Sequence, residues 1–212
     1  MISYVLSLVF NKKIMNETID YYNQNADAFA SGTVNVDFTE VQDKFLSYLP
    51  SGAYILDFGC GSGRDTKYFL SKGFQVEATD GSEELCKIAA KTAGISVKQM
   101  LFSELNEKEK YDGIWACSSI LHLPKDELKG VMVKMLRAIK DAGYIYTSFK
   151  YGESEGYRNG RYFTDYTEES FAEFLRDFPQ LKITEEWVSR DARPGRGDEK
   201  WLNLILKKSD TV

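Results

Sequence analysis

A short apolar run, Ala53 to Phe58, passes directly into the turn Gly59-Cys60-Gly61-Ser62-Gly63, and a carboxylate, Asp80, ends the next strand-like segment 21 residues after the first glycine. No other feature constrains the fold as tightly. Glycines in such a turn permit positive φ and let a ligand lie close to bare backbone. A helix starting at Arg64 offers free N–H groups beyond the turn. A carboxylate at the end of the second strand can accept hydrogen bonds from both hydroxyls of a ribose. The unit reads as the nucleoside-binding opening of an α/β sheet.

The rest of the chain keeps the alternation. Helical patterning is expected from Asn16 to Phe29 and again where Phe38, Val41, Phe45 and Leu49 recur, up to the stop at Pro50-Ser51-Gly52. A helix over Arg64–Lys72 ends at Gly73, and a second strand covers Phe74–Thr79. Ser82 is placed as an N-cap, and Gly94 closes that helix. Strands follow at Ile95–Leu101 and Gly113–Cys117, then a helix from Pro124 carrying Leu128, Val131, Met135, Leu136 and Ile139 on one side. Gly143 precedes a fifth strand, Tyr144–Phe149, and a helix is expected near Thr167–Asp177. The closing strands Leu181–Val188 and Lys200–Lys207 have no helix between them and must pair antiparallel. Alternating strands and helices give a mostly parallel sheet covered on both faces, with ligands at the carboxyl ends of its strands.

Two nucleoside cofactors suit this opening. The dinucleotide fingerprint needs a glycine where this chain has Arg64. Asp57, two residues ahead of the first glycine, would repel a pyrophosphate and attract a sulfonium and an α-ammonium. Charge therefore favours S-adenosylmethionine over NAD.

The run Tyr54 to Asp80 resembles motifs I and II of class I S-adenosylmethionine-dependent methyltransferases. Tyr111-Asp112-Gly113-Ile114-Trp115-Ala116 is similar to the motif opening their fourth strand, and Ala142-Gly143-Tyr144 to their turn before strand five. Gly63-Arg64-Asp65 is shared with small bacterial enzymes labelled tellurite-resistance-like. The resemblance implies a Rossmann-like seven-stranded sheet in the order 3-2-1-4-5-7-6 with strand seven antiparallel. It implies a methyl donor, S-adenosylmethionine, that leaves as S-adenosylhomocysteine. Gly59, Cys60 and Gly61 would lie against the amino-acid part of the cofactor, with Gly63 and Arg64 completing the loop. Asp80 would hold the ribose, Gly81 and Ser82 would line the adenine side, and Leu101-Phe102 would supply apolar contact where the family often has an Asp. Cys117 and Ser118 would stand beside the methyl group, and Tyr21-Tyr22 resembles the family's N-terminal lid.

Each residue has a plainer reading. Tyr21 and Tyr22 could be core aromatics. Cys60 and Cys117 are small fillers rather than nucleophiles, having no evident base. His122, the only histidine, could take a proton from the acceptor, cap a helix or pack beneath one, with Lys150 and Tyr166 as further candidates. The loops Lys150–Tyr166 and Ser189–Glu199 hold five of the eight arginines. Their acids could pair all five, or Arg161 or Arg193 could stay free for an anionic acceptor.

Composition limits partners. The net charge of −5 disfavours a non-specific nucleic-acid binder. Cys117-Ser118-Ser119-Ile120 replaces the Asn/Asp-Pro-Pro-aromatic tetrad of base-amine and glutamine methyltransferases, which argues against those substrates. Three scattered cysteines show no zinc or disulfide spacing and suit a reducing cytoplasm. Residues 1–15 contain an apolar stretch too short to span a bilayer and read as an extension outside the core. Residues 16–208 read as one domain, with 16–50 as a helical lid, acting on a small-molecule substrate. A non-catalytic S-adenosylmethionine-binding module and an NAD-dependent dehydrogenase are the rival readings.

Overall fold

A computed structural model describes residues 14–209. The expectation for the extension falls mostly on residues outside that range. Helix α1 covers residues 14–24, and α2 (Ala26–Ser31) follows after a break at Asn25. Then come α3 (Thr39–Leu46), β1 (Tyr54–Phe58), α4 (Arg64–Ser71), β2 (Gln75–Asp80), α5 (Glu83–Ala93), β3 (Val97–Gln99) and β4 (Tyr111–Ala116). The second half holds α6 (Lys125–Ala138), β5 (Ile139–Lys150), β6 (Glu155–Arg158), β7 (Arg161–Thr164), α7 (Glu168–Leu175), β8 (Leu181–Arg190) and β9 (Lys200–Lys208). Seven strands form one sheet in the order β3-β2-β1-β4-β5-β9-β8. β9 is antiparallel to both neighbours, and the β1–β5 pairings are parallel. This is the order expected from the resemblance, with β8 and β9 as its strands six and seven.

Side chains alternate across the central strands and so serve two cores. Leu56, Ile114 and Ile145 face α6 and α7, where Leu128, Val131, Met132, Phe171 and Phe174 cover them. Ile55, Trp115 and Tyr146 face the other way, onto Phe45 of α3 and Phe69 of α4. Trp115 and Tyr146 stack with centroids 4.0 Å apart and are fully buried. Each such side chain contributes about 1.5–3 kcal/mol through burial. Packing on both faces leaves the carboxyl edge of the sheet as the place where loops can part around a ligand.

Three expectations change. Ile139 belongs to β5, not to the helix: it pairs with Tyr111 and is fully buried, which outweighs its helical spacing. The segment after β5 is no bare loop. Asn159 and Gly160, at φ 50° and 79°, turn a two-residue hairpin between β6 and β7. Ile14 is buried and Met15 packs against the main core, so the ordered structure reaches back before Asn16. Among the described residues, no helix is long and apolar enough to cross a membrane.

Candidate active site

The loops leaving β1, β2, β4 and β5 wall a cavity together with α1, β7 and the β8–β9 loop. At its floor the glycine turn comes close to Ser119, which follows β4. A Cβ on Gly59 would sit 2.5 Å from the Ser119 Cβ, and φ there is 86°. Three N–H groups of the loop are already taken. Those of Gly59 and Cys60 both donate to the Thr79 carbonyl at 2.9 Å, and that of Gly61 donates to Asp80 Oδ2 at 2.9 Å. A pyrophosphate would find no free donors at these three positions and a carboxylate beside them, which counts against the dinucleotide reading.

Asp80 also accepts from the Ser82 N–H through Oδ1 at 2.9 Å, and burial raises its pKa. Ser82 caps α5 through the Leu85 N–H and donates to Asn23 Oδ1 at 2.7 Å, tying α1 to the rim. Gly81, Leu101 and Phe102 join them on the same wall. Opposite stand Cys117 and Ser118. Ser118 has φ 51°, held by a bond from its N–H to Ser148 Oγ at 2.9 Å. Burial raises the Cys60 thiol well above its ordinary value and pushes Cys117 up to about 12, so neither serves as a thiolate. Arg64 reaches the cavity, but Asp65 takes its Nε and Nη2, and its guanidinium lies 4.6 Å from the Phe38 ring centre.

Four expected residues fall outside the lining. Asp57 is buried beneath the turn and accepts from the Thr66 hydroxyl, while burial and the neighbouring Asp65 carboxylate raise its pKa. It is therefore a structural group below the loop, not the charge that greets a sulfonium. Gly63 serves packing: at φ 78°, a Cβ would lie 2.9 Å from the Ala89 Cα and carbonyl oxygen. Tyr166 is core, set against Phe149, Phe171 and Phe174. Tyr21 turns away from the cavity and stacks under Arg161, 4.6 Å from the guanidinium.

His122 does line the cavity, on a short turn after β4, with both nitrogens engaged. Nδ1 lies 2.6 Å from the Tyr162 carbonyl and Nε2 lies 2.8 Å from the Tyr22 hydroxyl. A carbonyl only accepts, so Nδ1 donates and Nε2 accepts from Tyr22. Burial lowers the ring to about 4, with Arg161 and Arg158 adding to the effect against the Tyr162 bond. A neutral, doubly bonded imidazole is a poor proton acceptor, and its role shifts from base to support for Tyr22.

The cavity's far end is cationic. Lys150 pairs with Glu199, and Asp191 lies 3.9 Å away. Burial draws the ammonium down to about 8, helped by Arg196, Arg193 and Arg158 and opposed by Asp191. Arg193 is bound by both oxygens of Asp191, and Arg196 pairs with Glu199. Burial opposes the charge on Asp191, but Arg193 brings its pKa down to about 2. Arg161 has no carboxylate within ion-pair distance among the described residues, and Arg158, outside the lining, is held by Asp165.

Thr18, Phe29 and Thr33, from the stretch read as a lid, line the cavity, and so do Ser148, Phe163 and the β9 pair Trp201 and Asn203, which sequence reasoning missed. The Asn-Gly dipeptide between alternating residues was a usable signal for Phe163, since the hairpin it forms puts Arg161 and Phe163 on one face.

A family model described as a methyltransferase domain matches residues 55–143. An uncharacterised methyltransferase of Staphylococcus carnosus is 27% identical over 165 residues, covering 71% of this chain and 80% of the relative. The 1,6-didemethyltoxoflavin-N1-methyltransferase of Burkholderia thailandensis superposes with a TM-score of 0.74 at 22% identity, over 92% of this chain and 87% of that one. That structure carries 1,6-didemethyltoxoflavin and S-adenosylhomocysteine. Magnesium protoporphyrin IX methyltransferase of Synechocystis PCC 6803, with bound S-adenosylmethionine, gives 0.68 at 17% identity over 92% and 97%. Likeness at such identities speaks to the fold. The family match and the sequence relative speak to the activity, and the cofactor is S-adenosylmethionine. Together, the domain match, the sequence relative and the fold support a class I S-adenosylmethionine-dependent methyltransferase.

Proposed function

We propose that this enzyme methylates a small, negatively charged acceptor. The cofactor would sit between the Gly59–Gly61 turn, Asp80–Ser82 and Leu101–Phe102, and the acceptor would sit toward Lys150, Arg161 and Arg193. The carrying observation is the charge balance at the far end of the cavity. Asp191 and Glu199 answer Lys150, Arg193 and Arg196, while Arg161 and Arg190 have no carboxylate partner among the described residues. An anion would balance this surplus.

The residues present fit S-adenosylmethionine. The missing side chain at Gly59 lets Ser119 and Phe102 close in on the turn, and Asp80 retains lone pairs for ribose hydroxyls after accepting two N–H bonds. Bound there, the cofactor supplies an electrophilic methyl group. The chain aligns the acceptor and excludes water, and α1 contributes by lying across the rim through Asn23 and Tyr22. Asp65, Asp80 and Asp191 are all bound to donors, Lys150 is paired with Glu199, and His122 is spent on Tyr22. The acceptor atom therefore attacks with a lone pair already free, as an ionised oxygen or an unprotonated nitrogen does.

Calorimetric titration with S-adenosylmethionine, S-adenosylhomocysteine and NAD tests the cofactor site, and only the first two should bind. A screen of carboxylated, oxyanionic and neutral acceptors, read by S-adenosylhomocysteine release, tests the acceptor. Binding without turnover of any acceptor would favour a non-catalytic module, and turnover confined to neutral acceptors would refute the charge argument.

A further inference from the structure

Arg161 differs from the other buried or half-buried arginines in what it lacks. Arg64 and Arg193 each give Nε and Nη2 together to the two oxygens of an aspartate. The same edge of Arg161 has no acceptor, and its Nε is buried without a partner. Its guanidinium is nonetheless held firmly. Tyr21 lies 4.6 Å from it, Phe163 5.1 Å and Tyr22 5.6 Å, measured to the ring centres.

A chain of bonds with one polarity fixes it further. Arg161 Nη1 donates to the Tyr22 oxygen at 3.2 Å, Tyr22 donates to His122 Nε2 at 2.8 Å, and His122 Nδ1 donates to the Tyr162 carbonyl at 2.6 Å. Arginine only donates and a carbonyl only accepts, so no member can turn round. A cation stacked among rings, fixed in plane and short of a counter-charge matches the planar, two-oxygen geometry of a carboxylate. Arg161 arrives on β7, beyond β5, and adds to the positive field around Arg196 of the β8–β9 loop. It therefore adds to the cationic end of the cavity, while its bonded neighbour Tyr22 also feels Asp80.

We propose that Arg161 is the specificity-determining residue of the acceptor site, binding a carboxylate carried by a small acceptor, with Tyr22 and His122 as positioning residues that hold its guanidinium. The proposal rests on the methyltransferase reading above. A carboxylate could also come from the amino-acid part of the cofactor, and the test separates the two sources.

The experiment titrates benzoate and its neutral isostere benzamide into the enzyme saturated with S-adenosylhomocysteine, followed by ligand-observed NMR. Benzoate should bind and benzamide should bind about tenfold or more weakly, the low end for a hydrogen bond to a charged group. Arg161→Gln should abolish that preference while keeping S-adenosylhomocysteine affinity, and Arg161→Lys should keep part of it. His122→Leu should weaken benzoate. His122→Gln, which can still accept from Tyr22 and donate to the Tyr162 carbonyl, should restore it, with affinity flat between about pH 6 and pH 8. Equal binding of benzoate and benzamide, no saturable binding of benzoate, or benzoate binding unchanged in Arg161→Gln would overturn the proposal. So would loss of S-adenosylhomocysteine binding in both Arg161 variants, which would assign the guanidinium to the cofactor. Failure of the unaltered enzyme to bind S-adenosylhomocysteine would instead overturn the cofactor site itself.

Discussion

Replacing Asp80 by alanine tests the site where sequence and structure make different demands. From its place at a strand end, Asp80 should be dispensable for folding and needed only for the ribose. In the structure its two oxygens also accept from the Gly61 and Ser82 N–H groups, at 2.9 Å each. Alanine would orphan both donors in a buried corner, at a cost of about 1–3 kcal/mol for each that water cannot reach. Loss of the charged contact to the cofactor removes about 1.5–3 kcal/mol of binding, or about 10–150-fold in affinity. Two measurements separate these effects. Urea unfolding of the free enzyme reads the orphaned donors, and calorimetry with S-adenosylhomocysteine reads the cofactor contact. Asp80→Asn should fall between, because its one amide oxygen can serve either N–H while its NH₂ faces the other. Unchanged cofactor affinity in Asp80→Ala would refute the placement of the ribose, and unchanged stability would refute the role in pinning the turn.

Gly63→Ala should cost about 3 kcal/mol, from a left-handed φ and a clash with the Ala89 backbone, yet leave cofactor affinity intact in the folded fraction, because Gly63 does not line the cavity; denaturant unfolding and calorimetry check both halves. His122, lowered from 6.5 to about 4 by burial, binds its proton in the unfolded chain first. Its folded pKa is depressed, so stability should be full above about pH 6.5 and fall toward pH 4, by about 3 kcal/mol at most. The stability difference between the unaltered enzyme and His122→Gln, followed across that window, should shrink as pH falls, and a constant difference would contradict the assignment. Hydrogen exchange over residues 14–33 should slow when S-adenosylhomocysteine binds, since Tyr22, Phe29 and Thr33 line the cavity; equal protection in both states would count against a lid.

The order of elements, and the glycine turn with its acid, were legible in the sequence because they are local. Ala53–Phe58, the glycine turn and Asp80 lie within one strand–helix–strand unit, and the spacing that puts an acid at the end of β2 is a property of about thirty consecutive residues. The same holds for Ser82, whose capping of α5 depends on its own next turn. What tertiary structure decided was which groups of the right chemistry are free. Asp57 has the right charge and spacing, but the fold buries it under Thr66. His122 is the only histidine beside the site, but its lone pair is taken by Tyr22, 100 residues away in sequence. Arg161 and Arg193 look alike in the chain; Asp191, two residues from one of them, neutralises Arg193 and leaves Arg161 among rings drawn from α1 and β7. A side chain's availability depends on partners brought by long-range contacts, and no local pattern records them.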